Sequence, residues 1–119
     1  MLKLNIQNKD DITIVSLEGI IDAFSCQQFE DTFNQLMEKE SYKLIVDLSE
    51  VDYMTSVGAG IFIAVHGVTE ENKGAIVLIN PKTKVKEIFD VLGVSKILSF
   101  ADDITGAFKI MEQHSSAHL

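Results

Sequence analysis

The chain has 119 residues, 46% of them hydrophobic, and a formal net charge of −8. That length and composition fit one globular domain with a proper core. The acidic balance argues against nucleic acid or an anionic membrane surface as partner, because both repel a protein of this charge. All ten basic residues are lysine. Without arginine there is no planar fork to grip phosphate or carboxylate in two places, which counts against a nucleotide-handling enzyme.

The first elements read as a hairpin. Leu2, Leu4 and Ile6 alternate with Lys3, Asn5 and Gln7, the period of a half-buried strand. Asn8 to Asp11 supplies a turn, and Ile12 to Leu17 a second strand. Glu18 to Asp22 leads out of it, with Gly19 free to adopt a conformation that other residues avoid. From Ala23 to about Lys39 the pattern turns helical, with Phe29, Phe33, Leu36 and Met37 on one face. Ser25 with Gln28 makes a capping box there, or Asp22 caps a slightly earlier start. Cys26, the single cysteine, excludes an internal disulfide and reads as a small apolar helix residue.

The segment from Leu44 to His66 carries most of the functional information. Leu44 to Val46 is a short β-branched run, a buried strand. Asp47 to Asp52 reads as a polar turn, Tyr53 and Met54 are apolar again, and Thr55 and Ser56 follow. Val57 to Val68 then reads as a helix ending near Asn72 to Gly74. Either Thr55 or Ser56 is placed to cap that helix, since the first N–H groups of a helix lack internal partners. The same position favours negative charge, so one of the two hydroxyls could also carry a phosphoryl group.

Ala75 to Ile79 reads as another buried strand, turned by Asn80 and Pro81 into a helix beginning at Thr83. Val85, Ile88, Phe89 and Leu92 form its apolar stripe, and Gly93 is its stop. Lys96 to Phe100 reads as a short last strand. Asp102 or Asp103 caps a final helix that turns Ile104, Ala107, Phe108 and Met111 inward. Residues 114–119 have no periodicity and read as a frayed tail after a domain of residues 1–113. The order β-β-α-β-α-β-α-β-α implies an α/β domain with a mixed, mostly parallel sheet of about five strands and about four helices. Right-handed crossovers place the helices mainly over one face unless the strand order reverses, and the order itself is left open.

Catalytic signatures are missing from the sequence. Gly58 and Gly60 imitate the start of a dinucleotide-binding fingerprint, but the third glycine falls on Ile63. No phosphate-binding GxxxxGK[ST] run occurs. His66, His114 and His118 have no partner at metal-ligand spacing, so neither metal nor cofactor is expected. Ser56, His66 and Asp47 make a hydrolytic set only on paper, because ten helical residues separate Ser56 from His66 by about 15 Å. The opening MLKLNIQNKDD lacks a signal peptide's apolar core. The apolar run Val57 to Val65 is too short to span a bilayer, so the chain reads as cytoplasmic.

The stretch VDLSEVDYMTSVGAGIF resembles the central motif of STAS domains, specifically the bacterial anti-sigma-factor antagonists. In those proteins an apolar-Asp/Asn-hydrophobic run passes through a short loop into Met-Asp-Ser-Ser/Thr-Gly-Leu-Gly at a helix start. The Gly19-x-x-Asp22 turn, the Asn80-Pro81 turn and the LGVSKILSF segment match in order, so the similarity runs from about Leu4 to Met111. The resemblance implies a non-enzymatic module that binds an anti-sigma serine kinase and so frees the sigma factor. The kinase then ends the binding by phosphorylating the serine that falls on Ser56, and a phosphatase restores it. It places the partner-binding surface on Asp22, Thr55, Ser56, Val57, Gly58 and Gly60.

Two positions depart from the pattern: Thr55 stands for its aspartate, and Val57 for the following Ser/Thr. Three outcomes therefore stand open, namely phosphorylation of Ser56, phosphorylation of Thr55, or an antagonist that no longer switches. The alternative function is a STAS scaffold or transport-system subunit that binds an ATPase or a larger assembly without phosphorylation. The helix start from Val57 to Gly60 is nearly free of side chains, which lets a partner backbone approach; close helix–sheet packing would require the same glycines.

Overall fold

A computed structural model describes residues 2–116. The elements are β1 (Leu2–Lys9), β2 (Ile12–Ile21), α1 (Cys26–Glu38), β3 (Lys43–Met54) and α2 (Ser56–Glu71). They continue with β4 (Ala75–Ile79), α3 (Thr83–Val91), a 3-10 turn at Val94–Lys96, β5 (Ser99–Ala101) and α4 (Ile104–Ser116). The expected tail therefore begins within α4 as far as it is described, and residues 117–119 lie outside the described part.

The five strands lie in the order β1-β2-β3-β4-β5, with β1 antiparallel to β2 and every later pair parallel. Each crossover steps the same way along the sheet, so right-handed connections put α1, α2 and α3 on one face. Leu44, Val46, Ile76 and Leu78 point to that face and pack with Phe29, Phe33, Phe62 and Phe89. Ile45, Val77 and Ile79 point the other way, where Ala107 and Met111 of α4 cover them. The two periods, 2 along the strands and 3.6 along the helices, thus build two cores around one sheet. Asp103, not Asp102, caps α4, its Oδ1 accepting from the Gly106 amide at 2.8 Å.

Phe62 fixes α2 between its neighbours. Its ring centroid lies 5.0 Å from that of Phe29 in α1 and 6.0 Å from that of Phe89 in α3. Burying one such ring is worth about 1.5–3 kcal/mol, and edge-on ring pairs add to it. The helix that begins at Ser56 is therefore held from both sides.

Five local expectations are corrected. The polar turn at Asp47 to Asp52 is strand: β3 runs on to Met54 and stays paired with β2 as far as Ile21. Two register shifts, between Ser16 and Glu18 and between Gly19 and Ile20, each give β3 an extra residue. They reset its alternation, so Val46, Leu48, Val51 and Met54 all point into the same core at spacings of two, three and three. β2 likewise continues through Ile21, with Gly19 at φ 116° beside the second shift. The helix expected from Ala23 begins at Cys26, and no capping box forms, because the Ser25 hydroxyl is spent outside the helix. The last strand is Ser99–Ala101, since Val94–Lys96 winds into a 3-10 turn after Gly93 takes φ 74°. Leu92, assigned to the apolar stripe of α3, is the C-cap residue just past Val91 and is exposed, lining an open groove.

Candidate partner-binding site

The ends of β2 and β3 lie side by side, Ile21 opposite Met54, and both chains leave the sheet there. The Thr55 amide donates to the Ile21 carbonyl at 2.9 Å, which ties the start of α2 to the turn after β2. Thr55 is extended at φ −87° and ψ 170°, as an N-cap residue should be. Its hydroxyl nevertheless caps nothing: Oγ1 is buried with no hydrogen-bond partner among the described residues. The Gly58 amide bonds the Thr55 backbone carbonyl instead, at 3.1 Å.

Ser56 is the first residue of α2 and is exposed. Val57 and Gly60 are exposed beside it, whereas Gly58 and Ala59 are buried. A methyl group built on Gly58 would stand 2.7 Å from Met54 Cγ and 2.8 Å from Ile21 Cγ2. The bareness of Gly58 thus serves packing. At Gly60 an added methyl would meet nothing within 4 Å among the described residues, and its bareness faces solvent. Of the six residues singled out in the sequence, Ser56, Val57 and Gly60 share the open surface of the helix tip.

Asp22 sits in the adjacent turn, half-buried. Its Oδ1 accepts from the Phe24 amide at 2.9 Å and from the Ser25 amide at 3.0 Å. The Ser25 amide, then the Phe24 amide and the Ser25 hydroxyl, hold the carboxyl below the usual carboxylate range, against the opposing cost of desolvation. The Ser25 hydroxyl in turn donates to the Ile20 carbonyl at 2.7 Å. Asp22 therefore organises the turn, and that turn presents Phe24 to solvent.

An open groove of about 540 Å³ runs from Ser56 along α3, lined by Tyr53, Ile88, Val91 and Leu92 together with Lys84 and Glu87. Val91 is 85% exposed. Lys82 ties the start of α3 to the far end of β3 through a 2.6 Å ion pair with Asp52, which keeps its ammonium group above the ordinary lysine range. Tyr53, Val91 and Phe24 were not picked out in the sequence as surface residues. Tyr53 is read there only as apolar, and Phe24 and Val91 fall outside the apolar stripes assigned to α1 and α3. A second depression, about 510 Å³, lies at the opposite end of the sheet among Lys9, Asp11, Lys43 and Phe108. Among the described residues no cluster of three His, Cys, Asp or Glu side chains could hold a metal, and no helix is long and apolar enough to cross a membrane.

Fold and site together define a small α/β domain whose mixed sheet, in sequential strand order, presents a hydroxyl at the tip of a helix. The family model described as "STAS domain" matches residues 3–107, and the chain belongs to that family. Among named relatives it is 28% identical, over 95 residues, to the anti-sigma-B factor antagonist of Bacillus subtilis, a match covering 80% of this chain and 85% of that one. An anti-sigma factor antagonist from Mycobacterium paratuberculosis superposes with a TM-score of 0.82 at 20% identity, over 94% of this chain and 95% of the other. The anti-sigma factor antagonist SpoIIAA shares the fold in both its unphosphorylated form (TM-score 0.77, 16% identity, 91% and 96% coverage) and its phosphorylated form (TM-score 0.70, 15% identity, 91% and 99% coverage).

Proposed function

We propose that this protein is an anti-sigma-factor antagonist, a binding module without catalysis of its own, which sequesters an anti-sigma serine kinase and is released from it by phosphorylation at Ser56. The exposure of Ser56 at the open tip of α2 is the observation that supports this reading. The buried Thr55 oxygen favours Ser56 over Thr55 as acceptor, because a hydroxyl without access to solvent cannot meet a nucleotide. The relatives named above are antagonists, and one of them has been seen phosphorylated.

The chemistry belongs to the kinase. The Ser56 oxygen attacks the γ-phosphorus of ATP, the bond to ADP breaks, and the hydroxyl proton passes to the kinase's base. This chain supplies a positioned nucleophile. The product adds about 1.5–2 negative charges to a protein already acidic as a whole, beside the groove of Tyr53, Ile88 and Val91. A partner that had covered Ser56 must then desolvate a dianion. A penalty of about 1.4 kcal/mol weakens binding tenfold, so a modest clash suffices to exchange partners. A phosphatase that removes the group restores binding, and all of this fits a cytoplasmic protein.

The test is to incubate the protein and its Ser56→Ala and Thr55→Ala variants with the anti-sigma kinases of the same genome and ATP, then map phosphate by mass spectrometry. Phosphate on Ser56, absent from Ser56→Ala and coupled to release, supports the proposal. Tight binding with no phosphate under any condition would point instead to the unphosphorylated scaffold.

A further inference from the structure

Phe24 is 96% exposed, the most exposed of the large apolar side chains among the described residues. A phenyl ring in water forgoes the gain that burial would bring, and most are turned inward. Here the backbone prevents it. The Asp22 carboxylate takes both the Phe24 and Ser25 amides, and the Ser25 hydroxyl accepts from the Asp22 amide at 3.0 Å. With the bond from Ser25 to the Ile20 carbonyl, the turn is closed at both ends, and the ring is held outward. The turn is also continuous with the tip of α2: Ile21, which precedes Asp22, accepts the Thr55 amide and packs against Gly58. Ile20 and Val57 are exposed on either side of that junction.

From this we infer that Phe24 is the anchor by which the chain grips its partner, the ring entering an apolar pocket whose rim is basic. The inference rests on the function proposed above and names a contact within it. Aromatic side chains are enriched at the centres of protein interfaces, where a few of them carry most of the affinity. An anchor on a pre-ordered turn loses little freedom on docking. The basic rim follows from charge: the Asp22 carboxylate sits in the same turn, two residues before Phe24, and the chain as a whole carries −8. The partner that covers Ser56 is the occupant that continuity of the surface selects.

The experiment measures, by isothermal titration against the purified anti-sigma kinase, the wild-type protein with Phe24→Ala, Phe24→Leu and Ser56→Asp. Phe24→Ala is expected to weaken binding about 30-fold or more, the size of a hot-spot truncation. Phe24→Leu should recover most of the loss. Phe24→Ala should also raise the concentration for half-maximal Ser56 phosphorylation while leaving the saturated rate nearly unchanged, and its thermal midpoint should not move. Phe24→Ala binding within threefold of wild type, while Ser56→Asp abolishes binding, would overturn the anchor and leave the proposed function standing. A wild-type protein that binds no such kinase would remove both.

Discussion

Gly58 and Ile21 approach more closely than any side chain on Gly58 would permit, since a methyl group there would lie 2.8 Å from Ile21 Cγ2 and 2.7 Å from Met54 Cγ. The helix tip is thereby pressed onto the ends of β2 and β3. Met54 can bend away; the β-branched Ile21 has fewer rotamers in which to do so. Gly58→Ala is expected to destabilise the fold by about 1–3 kcal/mol through overpacking, despite alanine's better helix propensity. Urea unfolding of the variant measures this, and a gain in stability would mean that the tip sits further from the sheet.

The hairpin, the buried strand at Ala75 and the stripes of α1, α3 and α4 were legible in the sequence because each keeps one period along its length. The second half of β3 was not. Leu48, Val51 and Met54 recur every third residue, which matches neither strand nor helix until the register shifts against β2 are known. Those shifts depend on a partner strand some thirty residues earlier, and a local window does not contain it. The site divides in the same way. The position of Ser56 at the start of α2 was readable from its motif, and whether Gly58 or Gly60 faces outward was not, because that depends on how α2 rotates about its axis. Phe24 was hidden for a different reason: it sits in a turn built by the Asp22 and Ser25 bonds, which no periodicity announces.

Thr55 occupies a capping position without using its side chain, and its buried oxygen has no partner among the described residues. A hydroxyl buried in this way costs about 1–3 kcal/mol in lost hydration. Thr55→Val keeps the shape and removes the cost, so it should raise stability by about 1 kcal/mol, where loss of a working cap would lower it by a similar amount. Ser56 phosphorylation by the kinase should persist in this variant. Chemical denaturation fixes the sign, and a loss of stability would show that the hydroxyl caps α2 after all.

Asp22 gives the turn a pH dependence of defined sign. Its carboxyl is held below the ordinary carboxylate value by the Ser25 and Phe24 amides, so the folded state binds that proton less tightly than the unfolded chain. The stabilisation is complete above the ordinary carboxylate range and disappears as pH falls through the lower, folded value. Asp22→Asn should therefore lower the thermal midpoint at neutral pH, and its difference from wild type should shrink on the acid side. Melting curves from neutral to strongly acidic pH test this; a constant difference at every pH would mean that the charge on Asp22 does not hold the turn.

Gly60 separates stability from binding. Among the described residues nothing lies within 4 Å of a methyl group added there, and the residue is exposed in the second turn of α2. Gly60→Ala should thus stabilise the fold by about 0.5–1 kcal/mol, the difference in helix propensity. The same methyl would stand where a partner backbone is proposed to lie against the tip, and kinase affinity should fall about tenfold, or about 1.4 kcal/mol. Opposite signs in one variant exclude a folding defect as the reason for weak binding. If Gly60→Ala were more stable and bound as tightly as wild type, the partner would have to approach from the Phe24 side or along the α3 groove, leaving that flank of α2 uncovered.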